Sequence, residues 1–106
     1  MLTDQVSGME SALASGSLVA GIAFADALVA MTTELLDDLH LDPSRDPERD
    51  AELVSTLRVY RNAAFLFRKL AGASGEPDPT LGTRCAATIE QGHDHLRALR
   101  GQTPEP

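Results

Sequence analysis

The stretch LVAGIAFADALVAMTTELLDDLH at residues 18–40 decides the fold class. Its large apolar side chains recur every three or four residues, which is the period of an amphipathic α-helix. At 100° per residue they form two adjacent stripes that together cover about 200° of the helix surface. One neighbouring helix cannot bury so wide a face. This helix is therefore predicted to lie at the centre of a helical bundle or in an interface between subunits.

The residues before this stretch predict a short first helix. Thr3 and Asp4 can cap its beginning, and apolar side chains follow at helical spacing up to residue 14. Ser15, Gly16 and Ser17 then weaken the pattern. The first apolar stripe continues in phase across these three residues, so the sequence leaves open whether the chain breaks there or only bends.

Two further helices begin with the same pair of residues. Asp46-Pro47 and Asp78-Pro79 each combine an N-cap residue with a proline at the first helical position. The helices are predicted at residues 47–71 and 79–100, and Gly72 is the expected C-cap of the first of them. The predicted core positions of these two helices are Leu53, Leu57, Tyr60, Ala64, Phe67, Leu70, Leu81, Cys85, Ile89, Leu96 and Leu99.

The sequence therefore predicts an all-α fold, an antiparallel bundle of three to four helices. The helices are expected at about 3–14, 18–40, 47–71 and 79–100, with the first two continuous if the chain only bends. A chain of 106 residues has the size of one domain, so residues 1–100 are assigned to one domain. The polar residues 101–106 are predicted to form a flexible tail.

Composition and cysteine usage exclude several classes of protein. The apolar share of 42% argues against global disorder, and the net charge of −7 argues against a uniformly basic nucleic-acid binder. With Cys85 as the only cysteine, no intrachain disulfide can form, which fits a reducing cytoplasm. The near-absence of lysine beside abundant Ala, Leu, Arg and Asp suggests a bacterial, GC-rich genome.

Targeting and membrane signals are also weak. Residues 1–44 contain no Lys or Arg, so the basic head of a signal peptide is missing. The most apolar stretch, Leu18 to Met31, is too short to span a bilayer and contains Asp26. We therefore expect a cytoplasmic protein that does not enter the membrane.

Residues that could carry chemistry do not form a site on the predicted helices. Cys85 falls on the apolar stripe of the last helix, which is typical of a buried structural thiol. Asp37-x-x-His40 and Glu90-x-x-His93 have the spacing of di-iron ligands, but both pairs are predicted to face solvent. We therefore predict no catalytic residues, no metal and no cofactor, and a metal-dependent enzyme is the least favoured function.

The charge layout is the most distinctive feature of the sequence. Residues 34–52 contain eight acids, whereas residues 58–69 contain four basic residues and no acid. On a helical wheel the basic residues gather on one arc around an aromatic ring, a composition that is common in binding hot spots. This predicted partner-binding surface consists of Arg58, Arg61, Phe65, Arg68 and Lys69. The alternative is a solvated basic face whose Phe65 packs on a neighbouring helix.

These patterns favour a non-enzymatic protein–protein interaction or assembly module that binds copies of itself and an unidentified protein partner. The wide apolar arc of the second helix is the expected interface between subunits. Its residues are Leu18, Ile22, Phe24, Leu28, Met31 and Leu35. The alternative function is a nucleic-acid-associated regulator that uses the basic face around Phe65, where a base could stack and phosphates could be held.

Overall fold

The computed structural model of the protein describes residues 2–42, 46–72 and 79–101. These residues form four α-helices, α1 (Leu2–Ser15), α2 (Leu18–Leu41), α3 (Pro47–Gly72) and α4 (Pro79–Gly101), and contain no strand. The predicted all-α bundle is thereby confirmed, with each helix end within a residue or two of its predicted position. Gly101 belongs to α4, and the rest of the predicted tail, 102–106, lies outside the described residues.

The chain breaks between α1 and α2. Gly16 has a φ of +77°, a left-handed conformation that glycine adopts without steric cost and that ends many helices. Its N–H donates a long hydrogen bond of 3.4 Å to the carbonyl of Leu13, which belongs to the last turn of α1. The question that the sequence left open is settled in favour of two separate helices.

The start of α3 follows the predicted capping pattern. The backbone N–H of Arg49 donates to Oδ1 of Asp46 at 3.2 Å, as expected for an N-cap aspartate. The carbonyl of Asp46 accepts the first intrahelical bond, from the N–H of Asp50 at 3.0 Å. Asp78, the corresponding cap predicted for α4, lies outside the described residues.

All four helices contribute side chains to one apolar core. Tyr60 and Phe67 of α3 are its largest fully buried side chains, and Met9 of α1 and Leu28 of α2 pack into the same cluster. The predicted inward positions of α3 and α4 are mostly confirmed. Leu53, Leu96 and Leu99 are only half-buried, because they lie near the end of the bundle that α1 does not reach.

Consecutive helices pack side by side and antiparallel. Gly21 of α2 shows how closely they approach, because a Cβ at this position would overlap both the Phe67 ring of α3 and the Ala12 methyl of α1. Gly21 is one of several small residues of α2, and such residues let a neighbouring helix approach closely. The neighbours at this position are two helices of the same chain.

The bundle has two unlike ends because α1 is shorter than α2. Leu2, the first residue of α1, lines a small cavity together with Met31 and Leu35 of α2. The same cavity includes Asp38, and α2 continues past Asp38 to Leu41 without a described residue of α1 beside it. We call this part of the molecule, formed by residues 32–41 of α2 and the beginning of α3, the lower end.

Candidate interaction surfaces

The predicted basic surface does not stay together in the folded chain. Nε of Arg68 lies 3.0 Å from Oδ1 of Asp26 on α2, so this cation already has a carboxylate partner. Both side chains are about half exposed, so the pair adds little to stability. A partner that binds Arg68 would therefore have to compete with Asp26.

Arg58 and Arg61 also turn towards α2. They line a cleft of about 620 Å³ that includes Asp37 and His40 near the end of α2. Nε of Arg61 is buried there and has no hydrogen-bond partner among the described residues. The predicted surface is thus divided between two neighbours, because Arg58, Arg61 and Arg68 meet residues of α2. Phe65 and Lys69 meet residues of α4 instead.

Phe65 remains at the surface, with 47% of its area exposed. It lies in a shallow groove of about 400 Å³ between α3 and α4, together with Lys69 of α3 and Arg84 of α4. The other described residues that line this Phe65 groove are Val59, Asn62, Leu66, Thr88 and Gln91, and none of them is an acid. The prediction that singled out Phe65 and Lys69 therefore missed Arg84, which only the antiparallel pairing of α3 and α4 brings to them.

Most residues of the predicted subunit interface pack against other helices of the same chain. Leu28 is fully buried in the core, so it has no surface to offer a second subunit. Leu18, Ile22 and Met31 are half-buried, and the ring of Phe24 packs against Gly8 of α1 while part of it stays exposed. The arc is wide because α2 contacts two helices of its own bundle, α1 and α3, as well as the core.

A different set of residues forms the exposed apolar face of α2. Val19 is 81% exposed, and Ala20, Ala23 and Ala30 are exposed beside it. On the helical wheel these four residues lie opposite the buried Gly21, Ala25 and Leu28. We call them the outer face of α2. The sequence-based prediction assigned large apolar side chains to the interface. It therefore did not include this face, whose residues are mostly alanines.

α2 is also the helix that most resembles a membrane span. It is long and apolar enough to cross a bilayer by length and composition alone, and 22% of its most apolar window is buried in the bundle. The sequence-based prediction took only Leu18 to Met31 as the apolar stretch and found it too short to span a bilayer. The whole helix has 24 residues, so it is long enough. A core helix of a bundle passes the same test, so this is weak evidence for a span.

The lower end carries a second exposed apolar region. A groove of about 550 Å³ lies between α2 and α3, and Leu35, Leu39, Leu53 and Leu57 form its apolar lining. Leu41, at the last turn of α2, lines the groove and is 82% exposed. Asp38 and Asp42 complete the described lining. We call this the lower groove.

His93 does not face solvent as predicted. Its Nδ1 lies 2.8 Å from the hydroxyl of Tyr60, and its Nε2 lies 3.2 Å from a carboxylate oxygen of Glu10. A neutral ring that donates from Nε2 to Glu10 and accepts the Tyr60 proton at Nδ1 satisfies all three groups. His95 similarly holds Glu52, with Nδ1 to Oε1 at 2.9 Å. These contacts connect α4 to α1 and α3. The helical wheel of α4 did not predict them, because only its apolar stripe was used to judge which residues face inward.

Cys85 is a fully buried thiol that hydrogen-bonds to the carbonyl of Ala63 at 3.5 Å. Burial raises the pKa of the Cys85 thiol to about 11, because the charged thiolate is poorly solvated in the core. A thiol in this environment is a poor nucleophile at neutral pH. Its position agrees with the interpretation of Cys85 as a structural residue.

The two carboxylate-x-x-His pairs do not come together. Asp37 and His40 are at the exposed end of α2, whereas His93 is engaged by Glu10 and Tyr60 near the middle of the bundle. Within residues 2–42, 46–72 and 79–101, no three His, Cys, Asp or Glu residues form a group that could hold a metal ion.

Comparisons with protein-family models, with curated proteins and with solved structures found no match to this chain.

Proposed function

We propose that this protein is a non-enzymatic assembly module whose copies associate through the outer face of α2. The observation that carries the proposal is the contrast between the apolar character of α2 and the 22% burial of its most apolar window. Contiguous exposed apolar surface is a feature of interaction sites in soluble proteins. The alanines keep the face flat, so the backbone of a second helix can approach it closely.

The same face fits a second copy of the chain. Its four residues, Val19, Ala20, Ala23 and Ala30, are uncharged, and the partly exposed Phe24 is a further apolar side chain of α2. A twofold interface brings identical patches together, so an apolar patch satisfies itself without needing complementary charges. Asp26 is the acid nearest the face, three residues from Ala23 and four from Ala30, and its charge is paired with Arg68 of α3.

The test is the mass of the protein in solution as a function of concentration. Sedimentation equilibrium of the unmodified chain is expected to give a mass above 11.3 kDa that rises across the micromolar range. Ala23→Lys places a charge in the outer face, where burial without a partner costs several kcal/mol, and is expected to give a monomer. A mass of 11.3 kDa at all concentrations for the unmodified chain would contradict the proposal.

Ala87→Lys is the matched control. Ala87 is an exposed alanine on α4, so the substitution makes the same change of charge and size away from α2. It is expected to leave the association unchanged. If Ala87→Lys dissociates the protein as strongly as Ala23→Lys, the net charge and not the outer face governs the association.

A second candidate function, binding of a single-stranded nucleic acid, is supported by the Phe65 groove. Phe65 offers an exposed ring for stacking, and Lys69 and Arg84 offer cations beside it. The pairing of Arg68 with Asp26 and the position of Arg58 and Arg61 beside Asp37 reduce the basic surface available to phosphates. Retention on heparin at low salt that is lost in Phe65→Ala and Arg84→Ala would favour this candidate.

The cytoplasm is the compartment we propose for the module. The single cysteine is buried and reduced, and nothing in its role requires an oxidising environment.

A further inference from the structure

The lower groove continues the channel that α1 occupies in the rest of the bundle. Leu35 and Asp38 line both the groove and the small cavity next to Leu2, so the two spaces are neighbours at the first residue of α1. Above this point α1 covers α2. Below it, no described residue takes the place of α1.

The dimensions of this channel suit a helix. The lining of the lower groove runs along α2 from Leu35 to Asp42, which corresponds to about 10 Å of helix at 1.5 Å per residue. About two turns of a further helix could therefore lie against Leu35, Leu39 and Leu53. Such a helix would complete at the lower end the four-helix packing that α1 provides elsewhere.

Charge at the edge of the groove defines the chemistry of the occupant. Glu34, Asp38 and Asp42 follow each other at intervals of four residues along one side of α2. None of the three forms an ion pair with a described residue. Like charges at this spacing repel each other, and the negative end of the helix dipole adds to the repulsion. A cationic partner would relieve both effects.

Among the described residues, the chain itself does not supply a suitable helix. α1 and α2 contain no Lys or Arg. The cations of α3 and α4 sit on helices that are already packed in the bundle, and Arg68 and Arg97 are paired with acids. The occupant must therefore carry its own basic residues beside an apolar face.

We propose that the lower groove binds a basic amphipathic helix of a partner protein. Its apolar side chains would pack on Leu35, Leu39 and Leu53, and its Lys or Arg side chains would pair with Glu34, Asp38 and Asp42. Recognition of this kind lays the apolar face of a helix into a groove and uses flanking charges for specificity. The proposal names a partner for the interaction module proposed above and uses a surface separate from the outer face of α2.

The probe for this proposal is a fluorescein-labelled amphipathic peptide of leucine and lysine, about 15 residues long so that it can form a helix. Fluorescence anisotropy measures its binding to the full chain at low salt. A second peptide with glutamate in place of every lysine keeps the apolar face and reverses the charge. The lysine peptide is expected to bind at least tenfold more tightly than the glutamate peptide.

Neighbouring aspartates provide a matched pair of variants. Asp38→Asn removes a charge from the edge of the lower groove and is expected to weaken binding of the lysine peptide several-fold, an effect that shrinks at high salt. Asp37→Asn makes the same change in the adjacent residue, which faces the cleft of Arg58 and Arg61 instead. It is expected to leave binding unchanged within about twofold.

A third variant tests the apolar lining. Leu35 is 44% exposed, so Leu35→Lys should fold, as a thermal melt would check, and it is expected to weaken the lysine peptide at least tenfold. Equal binding of the two peptides, equal effects of Asp37→Asn and Asp38→Asn, or absence of binding would each overturn the proposal. The same titration on Ala23→Lys separates it from self-association, because that variant is expected to bind the peptide like the unmodified chain.

Discussion

α2 and α3 are helices of similar length that differ in how the bundle uses them. α3 buries seven of its residues, from Thr56 to Leu70, whereas the more apolar α2 buries four, Gly21, Ala25, Leu28 and Thr32. α3 lies between α2 and α4 and is covered on both sides, so most of its apolar side chains pack within the chain, with Phe65 as an exposed exception. α2 has α1 and α3 as its only described neighbours, and its remaining apolar surface is available to other molecules.

This difference gives the two helices different roles. Substitutions in the buried face of either helix should affect folding, and substitutions in the outer face of α2 should affect association alone.

The largest effect is expected at Leu28. Leu28→Asp would bury an unpaired carboxylate in the core, at a cost of several kcal/mol, comparable to the whole stability of a small domain. We expect this variant to lose its helical circular dichroism or its cooperative melt. Leu35→Asp, on the same helix at a partly exposed position, is the control and should melt close to the unmodified chain.

The second prediction compares two phenylalanines of α3. Phe67 is fully buried, so Phe67→Ala should cost about 3–5 kcal/mol through the cavity that it leaves. Phe65→Ala should change stability by about 0.5 kcal/mol or less, because nearly half of the ring is already in water. Urea unfolding of both variants measures the difference. A loss of several kcal/mol in Phe65→Ala would show that the Phe65 groove is part of the core.

The third prediction concerns alkaline pH. The Cys85 thiol ionises near pH 9 in the unfolded chain and near 11 in the folded one, so the unfolded state binds fewer protons between these values. Stability should fall as the pH rises from 9 to 11, by up to about 1.4 kcal/mol per pH unit. Cys85→Ala should lack this part of the decline in parallel urea titrations. Identical pH profiles for the two proteins would show that the thiol is not desolvated.

The success of the sequence-based prediction differed between the fold and the surfaces. The helices and the core positions Leu57, Tyr60, Phe67 and Ile89 could be predicted because periodicity and capping are local properties of the chain. The break at Gly16 could not be decided, since the apolar phase continues across it. A local pattern reports that a residue is apolar or charged and does not report which neighbour it meets.

The candidate surfaces depend on such neighbours. Arg68 left the predicted basic surface because α2 places Asp26 beside it, and Arg84 joined Phe65 because α4 runs antiparallel to α3. The contact of His93 with Glu10 joins residues that are far apart in sequence, and no spacing rule connects them. Long-range packing therefore determined the parts of the sites that the sequence did not predict.

Thiol labelling measures whether the outer face of α2 becomes buried when the protein associates. Ala23→Cys and Ala87→Cys each add one exposed thiol to a chain whose own Cys85 is buried and serves as the slow internal reference. The labelling rate with a bulky maleimide is measured at protein concentrations below and above the association range. We predict that position 23 becomes protected as the concentration rises and that position 87 does not. Rates that stay equal and independent of concentration at both positions would contradict the account.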